Sequence, residues 1–411
     1  MNTAEHKTAG AEAAKAIESL PVKETNKLQP LSEYRQEYYD TLKTGDIEGL
    51  YTGFPFIDYN LRGLRQTTVL AGAPKTGKTS FCTQLVTQIA AYNGDHTDYE
   101  GKRILQKQAV LFYSLEMSKS DITTKLISQL SGVHYWLIRL NKSLLEETAE
   151  TKENFLDKPS PELIRLREAE IKRAAMDNIF IRDLNDYNEE KGNKLSYDTL
   201  RAEIEQVKKA TGAAELIVFI DHLQVFPIDA KDYKDQIDKE GQLIKEFNKI
   251  ALEKKVTMFL ISQTNKEAMK ETKEKFKNLR EAEKNADIDT YLSGVKGSVD
   301  TVYIASGIWS MVKTGRQKFI SPEDDKEKRR IHIVLLALII TERNSRGGVF
   351  YLLYFPMEQR FKLVKYFDLH PELIKAGLTG EEAKKFLENK YDHSNNTQKD
   401  QKPKEPNNEN H

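Results

Sequence analysis

The strongest chemical signal in the sequence is a glycine-rich octet at residues 72–79 that matches the pattern GxxxxGK[ST]. In this pattern the glycines let successive backbone N–H groups face phosphate oxygens, and the following helix N-terminus adds a favourable dipole. Lys78 would place its ammonium against the β- and γ-phosphates, and the Thr79 hydroxyl would ligate Mg²⁺. The pattern predicts a nucleoside triphosphate site. The residues predicted to contact the nucleotide are Gly72, Ala73, Pro74, Lys75, Thr76, Gly77, Lys78, Thr79 and Ser80.

Two carboxylates follow apolar runs and could complete a hydrolytic site. Asp221 comes directly after five apolar residues, where it could bind Mg²⁺ together with Thr79, directly or through a water molecule. Glu116 follows another apolar run and is the candidate that would orient the attacking water. From the residues alone, Glu116 could instead cap the following helix, because Ser118 and Asp121 lie beside it.

Gln263 and Arg343 are two further candidates near predicted strand ends. Gln263 ends an apolar run, and its neutral amide could contact the γ-phosphate, although an ordinary polar residue would also suit a strand end. Arg343 and Arg346 lie in a turn-rich stretch between two apolar runs. An arginine at such a tip can stabilise transition-state charge at a partner's γ-phosphate. The alternative is a solvated basic turn.

The apolar pattern predicts a scaffold that would bring these strand ends together. Between about Gly53 and Val364, apolar runs alternate with helical stretches, as they do in βαβ units. Most runs are continuous rather than alternating, which is typical of strands buried on both faces. The predicted fold is α/β, with a mostly parallel central sheet flanked by helices. The predicted strands are Thr68–Ala71, Ala109–Ser114, Leu216–Ile220, Val256–Ser262, Thr301–Ala305, Ile331–Ile340 and Val349–Phe355.

Polar stretches interrupt and flank this domain. Four of them are predicted as surface insertions: 93–107, 142–161, 266–290 and 313–330. The predicted organisation is a disordered arm (1–30), a helix with an aromatic face (31–45), one large α/β domain (46–366), a C-terminal helix (367–390) and a disordered tail (391–411). From the residues alone, the helix at 31–45 could pack on its own domain or on a neighbouring subunit.

The composition limits the class of protein. The 411 residues contain 63 Lys+Arg and 63 Asp+Glu, so any contact with a polyanion must come from a local patch. A single cysteine, Cys82, excludes an intramolecular disulfide framework and favours a reducing compartment, expected to be the cytoplasm. The longest apolar run, near Ile331–Ile340, is shorter than the ~20 residues of a membrane-spanning helix, so no membrane association is expected.

Taken in chain order, these motifs resemble the RecA-like P-loop ATPase domain of DnaB-type replicative helicases, over about residues 31–365. The matching phrases are residues 51–58, 63–65, 72–79, 111–117, 221–224, 262–265 and 343–344. The resemblance implies that Glu116 is the catalytic glutamate, Asp221 the Mg²⁺-linked aspartate and Gln263 the γ-phosphate sensor. It implies that Arg343 is an arginine finger that reaches into the adjacent subunit's site.

The resemblance also implies partners. A homo-oligomer, expected to be a hexameric ring, would hydrolyse ATP with Mg²⁺ while gripping single-stranded DNA in its channel. The helix at 31–45 would dock on a neighbouring subunit. Replication or loader proteins would be further partners.

Three departures from the family pattern leave DNA unwinding open. Nothing resembles the family's amino-terminal primase-contacting domain, since only residues 1–30 precede the leading helix. Thr341 and Tyr291 stand where the family carries basic residues near the finger and in a DNA-facing loop. The segment 227–240 holds three Lys against five Asp or Glu, whereas 265–285 holds seven Lys or Arg against five Glu.

Three functional hypotheses are compatible with this sequence. The leading hypothesis is an ATP-driven DNA helicase or translocase. The alternative is a loader or assembly ATPase on the same fold, whose nucleotide cycle controls oligomerisation without unwinding. A small-molecule kinase is the third, and it lacks an evident arginine-rich lid to exclude water.

Overall fold

A mixed sheet of nine strands forms the centre of the protein. The structure is a computed structural model that describes residues 49–92, 96–97, 103–104, 108–140, 161–188, 193–213, 215–228, 234, 236–263, 304–320, 331–342 and 347–388. These residues all fall in one compact unit, Asp46–His411. The predictions for the arm, the helix at 31–45 and the tail lie outside the described residues.

The strands and helices are numbered here in chain order. The strands are β1 (Thr67–Gly72), β2 (His96–Thr97), β3 (Arg103–Ile104), β4 (Gln108–Ser114), β5 (Ile179–Asp183), β6 (Glu215–Asp221), β7 (Thr257–Gln263), β8 (Gly307–Ile320), β9 (Ile331–Glu342), β10 (Gly348–Phe355) and β11 (Arg360–Val364). The helices are α1 (Pro55–Leu61), α2 (Lys78–Ala91), α3 (Lys119–Ser131), α4 (Tyr135–Leu140), α5 (Pro161–Ala174), α6 (Tyr197–Thr211), α7 (Gln236–Lys254), α8 (Leu369–Lys375) and α9 (Gly380–Glu388).

The sheet has two differently built halves. Its strand order is β11-β10-β9-β8-β1-β7-β6-β4-β5, and β2 and β3 form a separate ribbon. The parallel half consists of β5, β4, β6, β7, β1 and the first residues of β8, all pointing the same way. The antiparallel half consists of the rest of β8 with β9, β10 and β11. The predicted α/β, mostly parallel fold is confirmed.

Both faces of the parallel half are buried, which explains the continuous apolar runs. On one face, Phe112, Phe219 and Trp309 pack in a cluster with apolar residues of α1 and α2. On the other face, neighbouring strand residues such as Val218 pack with α6 and with Phe247 of α7. Successive side chains of a strand point to opposite faces, so apolar residues at consecutive positions supply both clusters.

Six predicted strands are confirmed to within two residues, and one is wrong. Residues 304–305, the described part of the predicted strand Thr301–Ala305, are not in a strand, and β8 begins only at Gly307. The predicted insertion at 313–330 is also wrong where it is described, because β8 continues to Ile320. The polar residues of β8 interrupt the apolar pattern from which a strand is predicted. Thr314 is buried and donates to the carbonyl of Leu335 at 2.7 Å.

Sequence patterns do not predict the two edge strands, and the predicted C-terminal helix is divided into two. β5 and β11 are five-residue strands at opposite edges of the sheet, too short for a clear apolar pattern. The segment predicted as one helix at 367–390 forms α8 and α9 instead. The break includes Gly377, whose φ of 103° is left-handed and ends the helical path. Both helices pack on the antiparallel half. No helix among the described residues is long and apolar enough to cross a membrane.

Candidate nucleotide site

The glycine-rich octet forms the turn between β1 and α2, as its pattern predicts. β1 ends at Gly72, and α2 begins at Lys78. Gly77 has a φ of 90°, which only glycine adopts without strain. A Cβ at Gly72 would lie 2.8 Å from the carbonyl oxygen of Met311 on the neighbouring β8. Both glycines are therefore required by the backbone, and the N-terminus of a 14-residue helix faces the loop.

Lys78 is held inside this loop. Its Nζ donates to the carbonyl oxygens of Gly72 at 2.6 Å and Ala73 at 2.9 Å. Burial lowers the pKa of Lys78 to about 8, although the nearby carboxylates of Asp221 and Glu116 act in the opposite direction. The phosphates of a bound nucleotide would supply the negative charge that this buried ammonium lacks.

Asp221 and Thr79 form a site that suits a divalent cation. Asp221 ends β6, and burial raises the pKa of its carboxyl, while a hydrogen bond from Thr79 and the charge of Lys78 lower it. The Oδ2 atom of Asp221 is buried and, in the part of the chain that the structure describes, accepts no hydrogen bond. A cation with a preference for oxygen ligands would satisfy this atom and stabilise the ionised carboxylate. The residues therefore fit Mg²⁺.

Glu116 lies in a loop that is anchored from two neighbouring strands. The N–H of Leu115 donates to the carbonyl oxygen of Asp221 at 2.6 Å. The N–H of Lys119 donates to the carboxylate of Asp183, the last residue of β5, at 2.8 Å. These two bonds fix the loop backbone, while the side chain of Glu116 remains 55% exposed. The carboxylate is thus carried by a rigid loop at the edge of the site.

The helix-cap interpretation of Glu116 is wrong. Ser118 caps α3, since its Oγ accepts from the N–H of Asp121 at 3.2 Å. The carboxylate of Glu116 instead contacts His222, with 3.0 Å between Oε2 and Nδ1. Glu116 is therefore available to the site beside Asp221.

Gln263 lies beside the glycine-rich loop. It is the last residue of β7, which lies between β1 and β6, and it pairs in register with Gly72. Its carbonyl oxygen is 3.4 Å from Nε2 of Gln224, which follows Asp221 by three residues. The parallel half thus brings Lys78, Thr79, Glu116, Asp221 and Gln263 to the carboxyl edge of the sheet, where ligands of α/β folds bind.

The strand before Arg343 ends at a different edge of the sheet. Residues 343–346, which include Arg343 and Arg346, lie outside the described residues and connect β9 to β10. β9 runs antiparallel to β8, and its last residue, Glu342, pairs with Gly307, which pairs with Thr68 near the start of β1. At about 3.3 Å per residue, four residues of β1 separate that level from Gly72 by about 13 Å. Arg343 therefore follows a strand that ends at the edge opposite the glycine-rich loop.

Sequence patterns do not predict a role for three residues near the site. His222 follows Asp221 but contacts a residue 106 positions away. Lys313 lies on β8, two residues beyond the register partner of Gly72, and its charge lowers the pKa of Lys78. Gln359, in the β10–β11 turn, accepts from the Ser80 hydroxyl at 2.5 Å. Only the Lys313 position carries a usable signal, a cation directly after an apolar segment.

Two residues of the acidic segment after β6, Lys239 and Glu240, form hydrogen bonds with Gln224. Nζ of Lys239 donates to the carbonyl oxygen of Gln224 at 2.9 Å. Nε2 of the same glutamine donates to Glu240 at 2.9 Å and to the Ser262 hydroxyl at 2.9 Å. Gln224 thus ties the strand end that carries Asp221 to α7 and to the strand that carries Gln263. The predicted basic segment at 265–285 and Tyr291 lie outside the described residues.

The chain matches known proteins over most of this site. The family model described as the DnaB-like helicase C-terminal domain matches residues 49–293. The replicative DNA helicase DnaB of Rickettsia felis is 26% identical over 286 residues, which are 67% of this chain and 52% of that protein. A probable replicative DNA helicase of Trieres chinensis is 25% identical over 222 residues, 54% of this chain and 40% of that protein. The chain spans about half the length of the curated relatives it matches.

Solved structures share the fold. One of them, the structure of an ATPase domain, has a TM-score of 0.58 at 19% identity, and the match covers 82% of this chain and 100% of that one. A DnaB-like replicative helicase has a TM-score of 0.54 at 19% identity, covering 85% of this chain and 70% of that one. Because the family model spans more than half of the sequence and includes the glycine-rich loop, Glu116, Asp221 and Gln263, the chain belongs to the DnaB-like helicase C-terminal domain family.

Proposed function

We propose that this chain is the ATP-hydrolysing motor of a DnaB-like helicase, which works as a homo-oligomeric ring, expected to be a hexamer, on single-stranded DNA. One observation carries the proposal. A phosphate-binding loop, an Mg²⁺-competent carboxylate, an exposed second carboxylate and a strand-end glutamine converge at one edge of the parallel half. Relatives with the same family domain are replicative DNA helicases by name.

ATP would bind with its phosphates along the loop at residues 72–80. Backbone N–H groups at the start of α2 would face the phosphate oxygens. Lys78 would exchange its two carbonyl partners for β- and γ-phosphate oxygens, which relieves the cost of burying its charge. Mg²⁺, held by Thr79 and by Asp221 directly or through water, would supply charge neutralisation at the same oxygens.

Hydrolysis needs a water molecule in line with the bond to be broken. Glu116 would hold that water as general base, since its carboxylate lies beside Asp221 on a fixed loop and is open to solvent. Gln263 would contact the γ-phosphate, because its strand end pairs with Gly72. The difference between bound ATP and ADP would reach α7 through Gln224 and Glu240.

Arg343 would act on the nucleotide of an adjacent subunit. The strand before it ends at the sheet edge away from its own glycine-rich loop. An arginine supplied by a partner stabilises the transition state of phosphoryl transfer. Hydrolysis would therefore require assembly, which couples ATP turnover to the ring.

The proposal is tested by ATP turnover with and without DNA. The assembled protein is mixed with oligo-dT or with duplex DNA of equal length, and phosphate release is measured. Electron microscopy with an ATP analogue reports rings and an occupied channel on the same samples. We expect rings whose turnover rises with oligo-dT. Rings whose turnover single-stranded DNA leaves unchanged would contradict the proposal.

A loader or assembly ATPase without unwinding activity is the second candidate. It is favoured by the net acidic segment at 227–240, whose Lys239 side chain is engaged with Gln224 rather than open to a phosphate backbone. Phosphate contacts dominate the affinity for nucleic acid. Strand displacement on a forked duplex separates the two candidates, because a helicase releases the displaced strand and a loader does not.

A further inference from the structure

The contact between His222 and Glu116 joins a fixed side chain to an exposed one. Nδ1 of His222 lies 3.0 Å from Oε2 of Glu116. The histidine side chain is only 13% exposed, whereas that of the glutamate is 55% exposed. The imidazole is therefore held by its surroundings, and the carboxylate has the greater freedom to move.

The backbone keeps the two residues at a set separation. Ser114 and Asp221 are register partners at the ends of β4 and β6. One residue further, the N–H of Leu115 donates to the carbonyl oxygen of Asp221 at 2.6 Å. Glu116 follows Leu115 in the sequence, and His222 follows Asp221. The carbonyl oxygen of His222 also accepts from the N–H of Val225 at 3.1 Å, which fixes the turn that carries the imidazole.

We propose that His222 is a positioning residue for Glu116, which rests on the role proposed above for Glu116 as general base. An ionised carboxylate only accepts hydrogen bonds, so Nδ1 carries the proton and donates. The bond engages Oε2 and restricts the carboxylate to orientations in which Oε1 remains open to a water molecule. A general base must be held within hydrogen-bond reach of the proton that it takes.

The positioning role predicts a specific kinetic signature. Without the imidazole donor, the exposed carboxylate samples other rotamers, and fewer ATP-bound subunits hold the water correctly. The loss affects the chemical step and leaves the phosphate-binding loop intact. We expect His222→Leu to lower kcat about tenfold, less than the ~100-fold loss that a 1 Å misplacement can cause. The KM for ATP should stay close to that of the parent protein.

Rescue by a conservative variant separates positioning from packing. In His222→Asn, the side-chain nitrogen is bonded to Cγ, as Nδ1 of histidine is, so it retains a donor near the same place. We expect His222→Asn to recover most of the lost kcat. The matched control is His370→Leu, which removes an imidazole from α8, one of the two helices that pack on the antiparallel half. All variants are measured at one pH as assembled oligomers, with steady-state turnover and fluorescent ATP-analogue binding.

The outcomes distinguish this inference from the proposed function. If Glu116→Gln abolishes turnover while His222→Leu turns over normally, only the positioning role is overturned. Equal losses in His222→Leu and His222→Asn, or a faster His222→Leu, overturn it as well. If Glu116→Gln turns over normally, the base itself is wrongly assigned. In the double variant of His222→Leu with Glu116→Gln, we expect no loss beyond that of Glu116→Gln alone.

Discussion

The two halves of the sheet present their strand ends to different places. In the parallel half, β1, β4, β6 and β7 all end at one edge, so residues from four separated segments meet there. In the antiparallel half, direction reverses at each strand, and successive connections fall on opposite edges. The β10–β11 turn reaches Ser80 at the glycine-rich loop, whereas the β9–β10 connection leaves at the other edge.

Under the proposed function, this difference separates what one subunit does from what two must do. The parallel half holds the glycine-rich loop, the buried carboxylate of Asp221 and the exposed carboxylate of Glu116 in one chain. The strand that precedes Arg343 ends at the opposite edge of the sheet. A single chain would then bind ATP fully and hydrolyse it poorly, and assembly would supply the missing charge.

The largest effect is expected in the parallel half, from Lys78→Ala. Loss of the buried ammonium removes charge-assisted hydrogen bonds to two phosphates, so ATP affinity should fall at least ~100-fold. Fluorescent ATP-analogue binding measures this, and thermal unfolding checks that the fold persists. Lys249→Ala, on the exposed surface of α7, is the matched control. Tight binding by Lys78→Ala would show that the loop works without its lysine.

Glu116→Gln should separate binding from turnover within the same half. The amide cannot accept a proton, so kcat should fall by about 10² to 10⁴, the usual contribution of a general base. ATP should still bind, because the loop and Asp221 are untouched, and the complex should be trapped unhydrolysed. Phosphate release and nucleotide retention on a desalting column are the measurements. Normal hydrolysis by this variant would remove Glu116 from the mechanism.

Gln359→Ala tests the contact between the halves. Oε1 of Gln359 accepts from Ser80 at 2.5 Å and from Nζ of Lys125 at 2.6 Å, while its carbonyl oxygen accepts from Gln129 at 2.7 Å. Without the Gln359 side chain, the partly buried Ser80 hydroxyl and Lys125 ammonium each lose one hydrogen-bond partner. This loss should lower the free energy of unfolding by about 1–3 kcal/mol.

Denaturant unfolding measures that loss for Gln359→Ala. Glu358→Ala, which removes the neighbouring carboxylate paired with Arg360, is the control for a partly exposed ion pair. We expect Glu358→Ala to cost less than Gln359→Ala. Equal stabilities of Gln359→Ala and the parent protein would mean that the β10–β11 turn does not hold the halves together.

The last prediction concerns the pH dependence of stability. Burial lowers the pKa of Lys125 from 10.5 to about 8, although Asp221 and Asp121 oppose the shift. Between pH 8 and 10.5 the unfolded chain binds more protons at this lysine than the folded chain, so this group's contribution to stability rises with pH.

Lys125→Gln lacks that dependence. The free energy of unfolding of the parent protein, relative to Lys125→Gln, should therefore increase as pH rises from 7 to 10. Urea unfolding at several pH values measures the difference, with Lys249→Gln as the exposed control. A difference that stays constant or shrinks with rising pH would contradict the shift.

The strands that could be predicted are those with continuous apolar runs, which include β9 and β10 of the antiparallel half. The glycine-rich loop is contiguous in sequence, and the parallel strands are continuous apolar runs, so both could be predicted locally. β8 could not, because its polar residues are satisfied by distant partners: Arg316 donates to the carbonyl oxygen of Leu387, and Thr314 to that of Leu335. On β8, Thr314 and Arg316 are buried while Phe319 is exposed, which weakens the periodic signal of this strand.

The sequence could predict that Glu116, Asp221 and Gln263 lie at the ends of parallel strands, but not which residues they contact. Glu116, Asp221 and Gln263 each follow an apolar run, and β-strand ends of a parallel sheet meet at one edge. The pairing of Glu116 with His222 joins residues 106 positions apart, and no local pattern contains it. The helix-cap interpretation of Glu116 likewise could be rejected only from the observed cap at Ser118.

The central claim is that each ATP is bound by the parallel half of one subunit and cleaved with Arg343 from the next. Mixing two inactive variants tests it most directly. Arg343→Ala keeps an intact loop, and Lys78→Ala keeps an intact arginine, so mixed oligomers contain interfaces with both groups. We predict that each variant alone hydrolyses ATP poorly and that the mixture recovers part of the parent rate. Full activity of Arg343→Ala alone, or an inactive mixture whose subunits demonstrably co-assemble, would contradict the account.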